Sequence, residues 1–89
     1  MITNTALNNE ETFENVRLLS NRLRFKIVEL TQDEEMSISE LSSILKLAYT
    51  RCSDYVAMLE SHNLVIKTKE GKNVSVKSKV KISKNKVEF

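Results

Sequence analysis

This chain of 89 residues has one thiol, Cys52, and one imidazole, His62. A lone cysteine cannot close an intramolecular disulfide, and one histidine cannot by itself furnish a zinc cage. One Cys, one His and one Gly also fall short of a nucleophile with its base, a phosphate-cradling glycine loop or a metal set. No enzyme, metal or cofactor signature is read. The chain is better supplied with hydrogen-bonding and cationic groups. Thr50, Arg51, Ser53 and Asp54 are interleaved with the apolar series Cys52, Val56 and Leu59, and Lys67, Lys69, Lys72, Lys77, Lys79 and Lys81 crowd the stretch 67–81. A guanidinium can donate two parallel hydrogen bonds to a planar base edge, hydroxyls can bond phosphates, and several ammonium groups on one ribbon neutralise phosphates.

The charge distribution points the same way. Overall the chain is +2, but residues 1–66 hold six basic and ten acidic side chains, net −4, while residues 67–89 hold eight and two, net +6. Such asymmetry implies that the last quarter faces a polyanion, with a solvated face or protection of a strand edge as the plainer alternative. The acids of Glu10-Glu11-Glu14 and Asp33-Glu34-Glu35 fall at a helix start and in a loop, where solvation accounts for them. The length implies one small domain, expected over residues 10–89 behind a polar, flexible stretch 1–9. No run approaches the roughly 20 apolar residues of a membrane helix and no signal region is seen, so a cytoplasmic protein with no membrane partner is expected.

The elements that must position these groups can be read from periodicity. From Glu10, Phe13, Val16 and Leu18 or Leu19 recur at helical spacing. Ser20-Asn21 offers an N-cap to a second helix ending near Leu30, with Leu23, Ile27 and Leu30 on its stripe and Phe25 and Val28 widening it. Met36-Ser37-Ile38 is long enough only for a bridging strand. Ser37 and Glu40 then match a capping box at the start of a third helix, to about Lys46, whose buried face is expected to be Leu41, Ile44 and Leu45. After a tight turn through Lys46-Leu47-Ala48, a fourth helix is expected over 49–61. Its buried stripe is Cys52, Val56 and Leu59, which turns Thr50, Arg51, Ser53 and Asp54 outward. On that stripe Cys52 is a small core residue rather than a redox or metal-sensing thiol. Asn63 suits the left-handed residue that ends a helix. From Leu64 the period becomes alternating, with Leu64, Ile66 and Thr68 on one side and Val65, Lys67 and Lys69 on the other. Glu70-Gly71-Lys72-Asn73 is the hairpin loop. The return strand is expected to place Val74, Val76, Ser78, Val80 and Ile82 on a packed face and Ser75, Lys77, Lys79 and Lys81 on the other.

This order of elements is α+β, a winged helix-turn-helix of four helices, a short bridging strand and a C-terminal two-stranded wing. The stretches Leu19-Ser-Asn-Arg-Leu-Arg-Phe-Lys-Ile, Met36-Ser-Ile-Ser-Glu-Leu-Ser, Leu59-Glu-Ser-His-Asn-Leu-Val and Lys69-Glu-Gly-Lys-Asn-Val resemble the ArsR-like winged-helix transcription regulators, most of all small archaeal members. The resemblance covers about Leu19 to Ile82. It implies double-stranded DNA as partner, the fourth helix in the major groove and the wing on the backbone or minor groove. The implied contact set is Tyr49, Thr50, Arg51, Ser53 and Asp54 with Lys46, and in the wing Lys69, Lys72, Lys77 and Lys79. Asp54 either accepts from cytosine N4, orients Arg51 or Tyr55, or lies off the interface. Where metal sensors of this family carry a Cys-x-Cys pair before the recognition helix, this chain has Ser39-Glu-Leu-Ser-Ser, and the C-terminal His and acidic set is missing too, so no metal is expected.

The function implied is a sequence-specific DNA-binding transcription regulator that represses by occupying a promoter. The alternatives are a winged-helix protein-interaction module and a nonspecific chromatin or RNA-binding protein. A homodimer is favoured, because one winged helix reads a short site and two-fold symmetry lengthens it. After Ile82 no long fifth helix is expected. The dimer seam is therefore expected from Phe13, Val16 and Leu19, with Val87 and Phe89, the competing role for these residues being to cap the core of the monomer.

Overall fold

The structure, a computed structural model, describes residues 9–83 and 86–88. Most of the stretch expected to be flexible lies outside these residues, except Asn9, which opens the first helix, α1 (Asn9–Leu19). Phe89 lies outside them as well, and Val87 is described by its backbone alone.

Helix α1 buries Asn15, Leu18 and Leu19 and leaves Phe13 62% and Val16 54% exposed. Leu19 therefore belongs to the core of the chain itself, and of the three α1 residues expected in a dimer seam only Phe13 and Val16 face outward. The next helix, α2 (Arg22–Leu30), is capped as its sequence implies: the Asn21 Oδ1 accepts from the backbone N–H groups of Leu23 at 2.9 Å and Arg24 at 3.0 Å. Its other end is closed by Thr31. That side chain is fully buried, and its hydroxyl is satisfied by donating to the Ile27 carbonyl at 2.8 Å.

Strand β1 (Met36–Ser37) runs directly into α3 (Ile38–Leu45) through the anticipated capping box. Ser37 Oγ accepts from the Glu40 N–H at 3.0 Å while Glu40 Oε1 accepts from the Ser37 N–H at 2.9 Å. The buried face of α3 differs from expectation. Ile38 and Leu41 are buried and Leu45 half-buried, while Ile44 is 52% exposed. At about 100° per residue Ile44 lies roughly 60° beyond Leu41, off the stripe that Ile38, Leu41 and Leu45 define. Helix α4 (Tyr49–Ser61) has the expected bounds and the expected buried stripe of Cys52, Val56 and Leu59.

Helices α3 and α4 end in the same way. Lys46 and Asn63 have left-handed φ of 58° and 61°. In the first case the Leu47 N–H reaches back to the Ser42 carbonyl at 2.9 Å, and in the second the Leu64 N–H reaches the Leu59 carbonyl at 2.9 Å. Both are Schellman endings, one on the anticipated Asn and one on a Lys, a type that adopts positive φ less readily.

Strands β2 (Val65–Glu70) and β3 (Asn73–Ser78) form the wing, and β3 also pairs with β1, giving an antiparallel sheet of order β1-β3-β2. The two-residue loop Gly71-Lys72 places the glycine at φ +61° with open space where a Cβ would be, so backbone conformation alone asks for Gly there. Within each strand the expected alternation holds, and the pairing decides which residues share a face. Val65, Lys67 and Lys69 lie opposite Ser78, Val76 and Val74, whereas Ile66 lies opposite Lys77 and is 49% exposed. The reason lies in where the strand starts and in its pairing with β3. Leu64 is consumed by the helix ending, so the strand starts at Val65 and its inward parity is set there. The lysines are consequently spread over both faces of the wing. The return strand also stops at Ser78, whose Oγ accepts from the Val80 N–H at 2.9 Å and donates to the Val80 carbonyl at 2.7 Å. That turn buries Val80. A short second hairpin, β4 (Lys81–Ser83) with β5 (Lys86–Glu88), follows in place of a continued strand.

One core unites these elements. Leu18 and Leu19 from α1, Ile27 and Val28 from α2, Ile38 and Leu41 from α3, the stripe of α4, and Leu64, Val65, Val76 and Val80 from the wing base pack together. Burying a side chain of this size contributes roughly 1.5–3 kcal/mol. Helix α4 is thus held from one side along its length, while its opposite side is left to solvent.

Candidate nucleic-acid interface

The exposed side of α4 presents Tyr49, Thr50, Arg51 and Asp54, with Ser53 half-exposed between them. Cys52, Val56 and Leu59 on the same helix are fully buried, so the outward direction of the polar set follows from the packing rather than from side-chain freedom. The helix begins at Ala48, in extended conformation, and no side chain caps its first-turn N–H groups. Those amides and the positive end of the helix dipole therefore sit beside Thr50 and Arg51. Among the described residues no hydrogen bond or ion pair engages the side chains of Tyr49, Thr50, Arg51, Ser53 or Asp54. Arg51 and Asp54 are neighbours on the helix but do not pair with each other. Their groups are available to an external partner.

The wing divides its lysines. Lys69, Lys72 and Lys79 are exposed and carry no side-chain partner among the described residues, and the side chain of Lys46, in the turn before α4, is free in the same sense. Lys67 is half-buried and lies 3.4 Å from Glu60 of α4. Lys77, expected in the phosphate-facing set, is half-buried and donates from Nζ to the Gln32 carbonyl at 2.6 Å, so its ammonium already has an internal partner. Its position on β3 could be read from the alternation, but its acceptor lies far away in sequence. Gln32, which accepts that bond, carries no local signal that would have singled it out.

Cys52 is fully buried, and burial pushes its thiol pKa up. A thiol held protonated in an apolar core is a packing group and a poor nucleophile. His62 is exposed at the end of α4, with its backbone N–H bonded to the last turn. Among the described residues no group of three or more His, Cys, Asp or Glu side chains is placed to hold a metal ion, and no helix is long and apolar enough to cross a membrane.

Four helices, a three-stranded sheet with a projecting hairpin, and an exposed polar face on the second helix of a helix-turn-helix define a winged helix-turn-helix domain. Solved structures similar to it agree. HlyU from Vibrio cholerae, in its reduced form, is 30% identical over 80% of this chain and 75% of that one, with a TM-score of 0.75. HlyU from Vibrio vulnificus, a transcriptional regulator, is 25% identical over 80% of this chain and 74% of that one, with a TM-score of 0.70. The homodimeric DNA-binding domain of a possible ArsR-family regulator from Mycobacterium bovis shares the fold at 18% identity, with a TM-score of 0.72, over 88% of this chain and 75% of that one. No protein-family profile and no curated protein matches the sequence. The chain belongs to the ArsR-like winged helix-turn-helix transcription regulators.

Proposed function

We propose that this chain is a homodimeric, sequence-specific DNA-binding regulator that represses transcription by occupying a promoter. The observation that carries the reading is the division of α4. Its buried stripe fixes the helix, and its outer face offers Thr50, Arg51, Ser53 and Asp54 with no side-chain partner among the described residues. Arg51 reads a guanine through O6 and N7, Thr50 and Ser53 bond the adjoining phosphates, and Tyr49 stacks or hydrogen-bonds at the helix start. Asp54 accepts from a cytosine N4 on the same face. Lys46 and the exposed wing lysines Lys69, Lys72 and Lys79 meet the backbone, which makes affinity fall steeply with salt. Phe13 and Val16 on α1 supply the apolar seam that joins two copies, so that two recognition helices read a two-fold site. Binding, not catalysis, is the role assigned.

Selection of binding sites from random duplex DNA, with native mass measurement of the free and bound protein, tests this reading. A recovered palindrome and a dimer mass are expected. Failure to enrich any sequence, or equal competition by bulk DNA or RNA, would favour a nonspecific binder. Absence of binding to either nucleic acid at low salt would favour a protein-interaction module.

A further inference from the structure

The base of the wing is tied to the turn after α2 by hydrogen bonds that span about half of the chain. Lys77 Nζ donates to the Gln32 carbonyl at 2.6 Å, between residues 45 positions apart. The Ile82 N–H donates to the Gln32 side-chain Oε1 at 2.7 Å, across 50 positions. Between them the Ser78 N–H donates to the Thr31 carbonyl at 3.0 Å. Gln32 thus offers both of its oxygens, the backbone one to β3 and the side-chain one to β4, while Thr31 holds the end of β3. All of these partners are buried or half-buried. The Lys77 ammonium also sits beyond the C-terminal end of α2, where the helix dipole favours a cation.

This arrangement separates Lys77 from the other lysines of the wing. Its ammonium would have to abandon a short, charge-assisted hydrogen bond before reaching a phosphate, whereas Lys69, Lys72 and Lys79 have no such bond among the described residues. The clamp also acts at the end of a lever. From Ser78 to the loop at Lys72 the strand is six residues, roughly 20 Å at about 3.3 Å per residue, so a rotation of about 10° at the base moves the tip by about 3.5 Å. That displacement is larger than a hydrogen bond is long. With the base held the tip lysines are pre-aligned to a fixed set of phosphates, and without the clamp the same contacts form from only a fraction of the wing's orientations.

We infer that Lys77 and Gln32 are positioning residues that set the angle of the wing, and that Lys77 is not a phosphate contact. The inference rests on the DNA-binding reading above. It is tested with the full chain and four variants, Lys77→Met, Lys77→Arg, Gln32→Ala and Gln32→Glu. Binding to a selected duplex is measured at several salt concentrations, and amide hydrogen exchange is measured on the free protein. Lys77→Met keeps the apolar stem and removes the donor, and Gln32→Ala removes the side-chain acceptor. Each is expected to weaken binding about tenfold, the scale of one lost hydrogen bond of this kind, with no change in the salt slope. The Ser78 and Ile82 amides should exchange faster in the same free variants. Lys77→Arg and Gln32→Glu keep the donor and the acceptor and should restore both properties. A salt slope reduced by about 0.9 in Lys77→Met, with parental exchange, would make Lys77 a phosphate ligand and overturn the inference. Faster exchange with parental affinity would overturn it too, since the clamp would then position nothing. A parent chain that binds no duplex would overturn the DNA-binding reading and with it the purpose of the clamp, although the hydrogen bonds themselves would still be visible in the exchange rates.

Discussion

The guanidinium carbon of Arg24 lies 5.5 Å from the centroid of the Tyr55 ring, while the Nε of the same side chain donates to the Leu18 carbonyl at 2.7 Å. One residue of α2 therefore joins the end of α1 to the middle of α4. Tyr55 follows Arg51 by one helical turn, so the contact bears on the helix that carries the candidate reading face. A cation over an aromatic ring contributes about 0.5–1 kcal/mol at a partly exposed site, and a hydrogen bond from a charged donor about 1.5–3 kcal/mol. Arg24→Ala is expected to lower stability by about 2 kcal/mol in urea unfolding. In a double-mutant cycle with Tyr55→Leu, the coupling should be about 0.5–1 kcal/mol. A coupling of zero would show that the two groups are merely adjacent.

Arg51→Ala and Lys72→Ala should fail in different ways. Arg51, on the exposed face of α4, is assigned to a base edge, so its loss should weaken the selected site by about 1–3 kcal/mol and leave bulk-DNA affinity nearly unchanged. Lys72, at the wing tip, is assigned to a phosphate, so its loss should weaken both and reduce the salt slope by about 1. Titrations of both DNAs at several salt concentrations distinguish the two. Equal losses on both DNAs for Arg51→Ala would remove it from base reading.

Phe13 and Val16 are exposed on a helix whose other side, Leu18 and Leu19, is already in the core. Phe13→Glu should therefore leave the fold intact by circular dichroism and shift the native mass toward the monomer. Leu18→Glu should unfold the chain, because it would bury a carboxylate without a partner. A dimer that persists in Phe13→Glu would place the seam elsewhere.

Cys52 should resist maleimide at neutral pH in the folded protein and react at a rate set by opening of the core. Its pKa is raised by burial, so the folded state holds the thiol proton more tightly than the unfolded chain does. Stability from this group is complete below the ordinary thiol pKa of about 8.5 and is lost as pH rises from there through the raised folded value. Denaturation midpoints measured upward from neutral pH should fall more steeply for the parent than for Cys52→Ala. Rapid labelling at neutral pH without unfolding would contradict the burial.

Much of the fold and the outward face of α4 was legible because their determinants are local. The spacing of Cys52, Val56 and Leu59 sets a helix face within a few turns, Ser37 and Glu40 meet across one turn, and Asn21 and Asn63 act within three residues of their own positions. Gly71 announces its turn by the same kind of local rule. The candidate face of α4 was legible for that reason, since a helix with a known buried stripe has a known exposed one.

The amino-acid sequence by itself determined the order of elements, the buried stripe of α4 and the polar character of its opposite face, each through contacts between residues a few positions apart. Tertiary structure alone decided the rest. Val65 rather than Ile66 turns inward, because the ending of α4 consumes Leu64 and pairing with β3 then sets the parity of the strand. Ile44 is left outside, because the core contacts of α3 centre on Ile38 and Leu41. Lys77 turns its ammonium onto the carbonyl of Gln32, which folding brings beside the base of the wing. Each of these depends on a partner brought near by folding, across a separation that no local periodicity records.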